Sequence, residues 1–213
     1  MLKLHGIALS NYTNIVKQCL IEKGIEFEQV DARPSQDDDF LAKSPMGKIP
    51  CLETPDGFLI ETAAILDYLE EVCPTPAMYP TDAFAKAKAR AIMHLTELYI
   101  ELAARRHLGA TFFGGERSED AMTEVRPQVE KGLEAFTQLT DFGPYVMGGD
   151  FGNVDIFVYH SFRLAGMILK RTYDWDITSA APGFETFLAA MDERDSTKNV
   201  VAENEKAMAA LIK

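Results

Sequence analysis

The sequence is short of cysteine, of basic charge and of long apolar runs, and each shortage removes a class of function. Its 213 residues include three cysteines, Cys19, Cys51 and Cys73. An odd number without metal-ligand spacing argues against a disulfide framework or a metal site, and makes a reducing cytoplasm the expected compartment. Lys and Arg total 21 against 33 Asp and Glu, a formal net charge of -12. So acidic a surface repels phosphate backbones and anionic headgroups, so neither nucleic acid nor a membrane is an expected partner. No apolar run approaches the roughly 18–20 residues of a bilayer span. Residues 1–5, MLKLH, alternate apolar and polar like a strand and lack the apolar stretch of a signal peptide.

What is present suits a folded chain. Hydrophobic residues make up 47% and charged residues 25%, close to a globular average and far from a disordered one. The first part mixes strand and helix signals. Residues 2–8 read as a strand, and residues 14–23 as a helix with Ile15, Cys19 and Leu20 inward and Gly24 as its stop. Residues 26–30 alternate as a second strand, and residues 37–43 suit a short helix. Residues 50–53 and 58–60 are short strands around Thr54-Pro55-Asp56-Gly57, a turn signal that predicts an antiparallel hairpin. Residues 63–72 then read as a helix, with Ile65, Leu66 and Leu69 on one face. The order is βαβ-α-ββα. Strands joined by a helix lie parallel with a right-handed crossover, a thioredoxin-like α/β arrangement.

Three prolines in residues 73–83 break any helix. The expected division is a thioredoxin-like domain over residues 1–76, a linker over 77–83, and an all-α helical bundle over 84–213. Residues 85–107 are rich in strong helix formers, and helices are also expected over 119–139, 154–170, 183–191 and 196–211, the last with a possible break.

The most informative stretch is Ser44-Pro45-Met46-Gly47-Lys48-Ile49-Pro50-Cys51-Leu52, followed by Glu61-Thr62-Ala63-Ala64-Ile65-Leu66. Here the chain resembles the cytosolic glutathione S-transferases across its whole length. Their pattern is Gly-x-[Val/Ile]-Pro, a hairpin, then an acidic residue or Gln followed by Ser or Thr opening a helix. The resemblance implies a cis Ile49–Pro50 peptide, with Ile49's backbone N–H and C=O turned outward to pair with the cysteinyl unit of glutathione, a short case of strand addition. Without it, Pro50 simply starts an edge strand. It implies that Thr62 and the helix N-terminus take the γ-glutamyl carboxylate while Glu61 faces the α-ammonium. The competing account makes Thr62 a plain N-cap. Lys48 falls within reach of the glycyl carboxylate, or is a solvated loop lysine.

A thiol of pKa about 8.5 is mostly protonated at neutral pH, so such an enzyme must stabilise the thiolate with a hydrogen-bond donor near a helix N-terminus. That donor belongs in the loop Leu9-Ser10-Asn11-Tyr12-Thr13-Asn14. Ser10 is the first candidate, at the offset where serine-type (theta-like and bacterial) members place theirs; Tyr12 and Asn11 are alternatives. Helix capping also accounts for Ser10 and Thr13. The loop has no cysteine, unlike the beta, omega and glutaredoxin-like members, and lacks the Ser-Ser-Cys-Ser of the maleylacetoacetate isomerase (zeta) branch. Cys19 and Cys51 read as small core residues.

In the second part, Gly152-Asn153-Val154-Asp155 matches the family's [Ser/Thr]-x-x-Asp capping motif, with glycine in the first place. Candidates for a second-substrate pocket are Tyr99, Arg106, Phe112, Phe113, Tyr159 and Phe162, although aromatics there are more often core. Glu101, four residues before Arg105, reads as an ordinary helix-surface pair. The resemblance implies a cytoplasmic, homodimeric detoxification enzyme that uses glutathione as co-substrate, needs no metal, and conjugates its thiolate to a hydrophobic electrophile. The expected interface uses helices 63–72 and 85–107. The alternatives are a non-catalytic interaction or ligand-carrying module, and a specialised glutathione-dependent isomerase, dehalogenase or peroxidase.

Overall fold

The alternation at the start of the chain becomes strand β1 (Leu2–Gly6), in which Leu4 is buried against the core while Lys3 and His5 point the other way. Both of the latter reach Glu53, at 3.0 and 2.9 Å. The computed structural model describes residues 1–211, which divide into Met1–Met78 with the segment beginning at Arg194, and Tyr79–Glu193.

In the first unit, helix α1 (Asn11–Glu22) starts three residues earlier than its apolar periodicity suggests, because Ser10 caps it: its Oγ accepts from Thr13 N–H at 3.2 Å. It stops at Gly24, whose φ of +64° is left-handed, with Ile25 N–H returning to Leu20 C=O and Gly24 N–H to Ile21 C=O. This pair of bonds satisfies carbonyls that the last turn would otherwise leave bare. Strand β2 (Phe27–Asp31) pairs parallel with β1. After the short helix α2 (Asp38–Leu41), strands β3 (Cys51–Thr54) and β4 (Gly57–Leu59) form the hairpin about Pro55-Asp56. The sheet order is β2-β1-β3-β4, with β3 antiparallel to β1. Helix α3 (Thr62–Val72) closes the βαβ-α-ββα order and packs beside α1, burying Ile65, Leu66 and Leu69 with Ile15, Cys19 and Leu20.

Helix α10 (Asp195–Leu211) also belongs to this unit, although the sequence places it with the helical part; it runs without the break considered there. Specific polar contacts hold it. Arg194 grips Glu22 through Nε and a terminal guanidinium nitrogen at 2.9 and 2.8 Å. Gln18 Nε2 donates to Ser196 Oγ and Thr197 Oγ1 at 3.1 and 2.8 Å.

The second unit is helical. The helix expected over residues 85–107 divides into α4 (Ala83–Leu95), a π-helical stretch Thr96–Glu101 and α5 (Leu102–Arg105), followed by the separate α6 (Leu108–Phe112). The wider turn carries Glu101 fully inside, so its pairing with Arg105 is not the surface pair expected from their spacing. Helices α7 (Glu119–Leu139), α8 (Asn153–Tyr173) and α9 (Phe184–Asp192) complete the unit. Asp155 is wholly buried at the start of α8, accepting from Val146 N–H and Gly152 N–H, both at 2.7 Å. Glycine offers no side chain in return, so half of the reciprocal capping motif is present.

His160 on α8 is buried, and burial, with Arg163 nearby, pushes its imidazole down to about 3. Its folded value lies below the unfolded value of about 6.5, so the unfolded chain binds the extra proton between the two. The stabilisation is complete above pH about 6.5 and is lost as pH falls from there toward 3, at up to about 1.4 kcal/mol per pH unit. His107, also lowered by burial and by Arg106 and Arg117, adds to the same slope. Urea unfolding at pH 7.5, 6.5 and 5.5 is expected to show declining stability. The decline should be visibly shallower for His160→Gln, and an equal decline in both proteins would show that His160 does not carry it.

Candidate functional site

Strand register brings the sequence-predicted loops to one end of the sheet. His5 lies opposite Cys51, and Leu52 opposite Leu59. The exit of β1 toward Ser10, the entry of β3 from Ile49-Pro50 and the exit of β4 toward Glu61 therefore share an end. Helices α1 and α3 both begin there, so two positive helix ends face the same side of the sheet.

The loop before β3 is held by its own polar groups. Ser44 is buried; its Oγ donates to Lys48 C=O at 2.8 Å and accepts from Lys48 N–H at 3.2 Å. Gly47 adopts φ +64°, and a Cβ there would lie 2.2 Å from Ser35 C=O, so glycine alone fits. The Ile49–Pro50 peptide is cis. No hydrogen bond engages Ile49's backbone N–H or C=O among the described residues, and Ile49 is half-buried. Lys48 is exposed. Sequence reading missed Ser44 as the organiser of this loop; its place four residues before Lys48 was the available signal.

At α3 the two accounts of Thr62 separate. Thr62 is the first helical residue and is buried; the capping position belongs to Glu61, whose side chain makes no capping bond. The first N–H groups of α3 are thus left without a side-chain partner. Glu61 is exposed and sits at φ +65°, ψ +115°, outside the regions that a residue with a Cβ favours.

At α1, Ser10 Oγ spends an acceptor position on Thr13 N–H, which leaves its proton for another acceptor. Ser10 N–H is fixed on Ile7 C=O at 3.0 Å. Tyr12 is half-buried and Asn11 buried; each has a partner. Burial raises the thiols of Cys19 to about 12 and Cys51 to about 11, which keeps both protonated and removes them as nucleophiles.

The pocket candidates all fall in the second unit and do not share one environment. Tyr159 and Phe162 are core: Tyr159 donates to Asp192, and Phe162 packs between Phe136 and Phe184 at ring separations of 4.9 and 4.6 Å. This corrects their reading as pocket lining. Arg106 pairs with Glu124 at 2.8 Å, and Phe112 lies under the Arg171 guanidinium at 4.6 Å. Tyr99 and Phe113 are exposed. Among the described residues, no helix is long and apolar enough to cross a membrane.

Residues 4–77 match the family model for the glutathione S-transferase N-terminal domain. A protein from Pseudomonas putida strain F1 named glutathione S-transferase is 37% identical over 212 residues, all of this chain and 96% of its own. A maleylacetoacetate isomerase from Pseudomonas aeruginosa is 27% identical, over 86% of this chain and 93% of its own. A solved glutathione S-transferase from Methylobacillus flagellatus with glutathione bound is 25% identical; it superposes with a TM-score of 0.77 over 94% of this chain and 98% of its own.

Proposed function

Since the chain belongs to the glutathione S-transferase family, we propose that the loops at one end of its sheet bind glutathione and activate its thiol for attack on an electrophilic carbon. The observation that carries this reading is the uncapped start of α3 beside a strained Glu61. The γ-glutamyl carboxylate takes the bare N–H groups and the Thr62 hydroxyl, and Glu61 faces the α-ammonium. The cysteinyl unit pairs with the backbone N–H and C=O of Ile49, next to Pro50. Lys48 meets the glycyl carboxylate. Ser10 donates to the thiolate, helped by the positive end of α1. The thiolate then forms a bond to carbon as the leaving group departs or a double bond accepts the electron pair. Holding both reactants supplies much of the rate.

Overall charge does not attract the tripeptide, since residues 1–80 hold 6 Lys and Arg against 13 Asp and Glu. Local donors must do it. Calorimetric titration with glutathione is expected to give saturable binding in the millimolar range or tighter, and no heat at millimolar concentration would defeat the reading. The second substrate is an apolar electrophile. The isomerase among the relatives favours a second version, in which the thiolate adds across a double bond, the resulting single bond rotates, and the double bond re-forms as the thiolate leaves; a panel of aryl halides and cis-enones distinguishes the two. The enzyme acts as a cytoplasmic homodimer, a state that sedimentation of the purified chain checks.

Glu61 yields a prediction in which stability and binding move oppositely. A non-glycine residue at such backbone angles costs on the order of 1–3 kcal/mol, which glycine relieves. Glu61→Gly is expected to raise unfolding stability by about 1 kcal/mol, after the greater chain entropy of glycine is subtracted. Glutathione affinity should fall about tenfold, the equivalent of one lost charge contact. Denaturant melts with and without glutathione read both quantities, and parallel losses would show that Glu61 is structural only.

A further inference from the structure

Ala8, two residues before Ser10, has a backbone carbonyl held by two side-chain amides. Asn14 Nδ2 donates to it at 2.9 Å from the first turn of α1, and Asn204 Nδ2 donates at 2.7 Å from α10, 196 residues away. Both lone-pair directions of this oxygen are thereby used. The neighbouring Glu203 pairs with Lys17, one turn further along α1. The loop between β1 and α1 is therefore fixed from within by Asn14 and from outside by the C-terminal helix. Asn14 is buried and Asn204 half-buried, so neither bond is fully open to water.

We propose that Asn204 is a positioning residue, which sets the path of the Ala8–Ser10 backbone and through it the direction in which the Ser10 hydroxyl donates. The proposal rests on the assignment of Ser10 as thiolate donor. Ser10 N–H is tied to Ile7 C=O, so a rotation of the peptide that carries the Ala8 carbonyl is passed on to the cap. A donor only slightly misdirected loses much of its effect on a developing charge. Helix α10 thus does more than cover the first unit: its N-terminal contacts through Arg194 and Ser196 anchor it, and its third turn reaches the loop.

The test compares the pH dependence of kcat/KM, the ultraviolet thiolate absorbance of bound glutathione, glutathione Kd and unfolding stability. Asn204→Ala is expected to shift the thiol's titration to higher pH and to lower kcat/KM at pH 6.5 about tenfold, with Kd changed less than about twofold. Asn204→Gln keeps an amide donor and should recover part of the loss. Arg194→Met, which weakens the distant anchor, should lower stability while leaving the titration in place. An unmoved titration in Asn204→Ala, or an equal movement in Arg194→Met, would overturn the proposal. An unmoved titration in Ser10→Gly would instead overturn the assignment of Ser10.

Discussion

Replacing Ser10 is expected to return the bound glutathione thiol to nearly its free titration. The apparent pKa should rise by one to two units toward the free value of about 8.5, with kcat/KM at pH 6.5 falling about 100-fold, the usual effect of removing one donor from a developing anion. The residue has two roles, and they can be separated. Its Oγ accepts from Thr13 N–H as the cap of α1, and its proton is the proposed donor. Ser10→Ala removes both and should also cost about 1 kcal/mol of stability. Ser10→Gly keeps a tolerable cap, at a few tenths of a kcal/mol, and still lacks the hydroxyl. The two variants should therefore differ in unfolding free energy and agree in thiol titration. Ser10→Thr should retain most of both properties. If Tyr12→Phe raises the titration and Ser10→Gly does not, the donor is Tyr12.

Those parts of the site that depend on local chain chemistry could be read from the sequence. Gly24, Pro55-Asp56 and the strand-like run of residues 2–8 punctuate or phase the chain within a few residues, and the structure follows them, with the strand ending two residues sooner at Gly6. The cis peptide before Pro50 lies at the bond that the family resemblance implies. What escaped depends on distant neighbours. Glu61 at positive φ has no sequence signature, since such angles are otherwise a glycine trait; the residue types alone therefore suit Thr62 as the cap, whereas it is the first helical residue. Ser196, Glu203 and Asn204 lie on a helix that the sequence places with the helical part, yet they touch Glu22, Lys17 and Ala8. Glu101 and Arg105 have the spacing of a surface pair, but a π-helical turn carries the carboxylate inside. Tyr159 and Phe162 face a core of Phe136 and Phe184 that no local periodicity distinguishes from a pocket wall.

Lys23 carries the largest expected stability effect, and its position at a helix end gives no hint of it. Its side chain is fully buried. The ammonium pairs with Glu70 at 2.7 Å and donates to Cys73 C=O at 2.7 Å and Pro76 C=O at 2.9 Å, so all three protons are used. Glu70 in turn accepts from Met78 N–H through both oxygens at 3.1 Å. One buried pair thereby joins the end of α1, the end of α3 and the chain that follows. Lys23→Met keeps the volume and removes the charge, leaving a largely buried carboxylate and two carbonyls without their donor. Breaking one side of such a pair costs about 3–5 kcal/mol, a large share of the 5–15 kcal/mol that holds a typical domain. Removing both charges in Lys23→Met with Glu70→Leu should recover more than half, because the desolvated carboxylate goes with its partner. Urea unfolding of the two variants measures the difference, and a single-variant loss below about 1 kcal/mol would show that water reaches the pair. Lys23 lies about 20 Å along α1 from Ser10, at 1.5 Å per residue. Folded Lys23→Met should therefore bind glutathione within about twofold of the unaltered chain, which separates the pair that holds α1 to α3 from the site at the opposite ends of those helices.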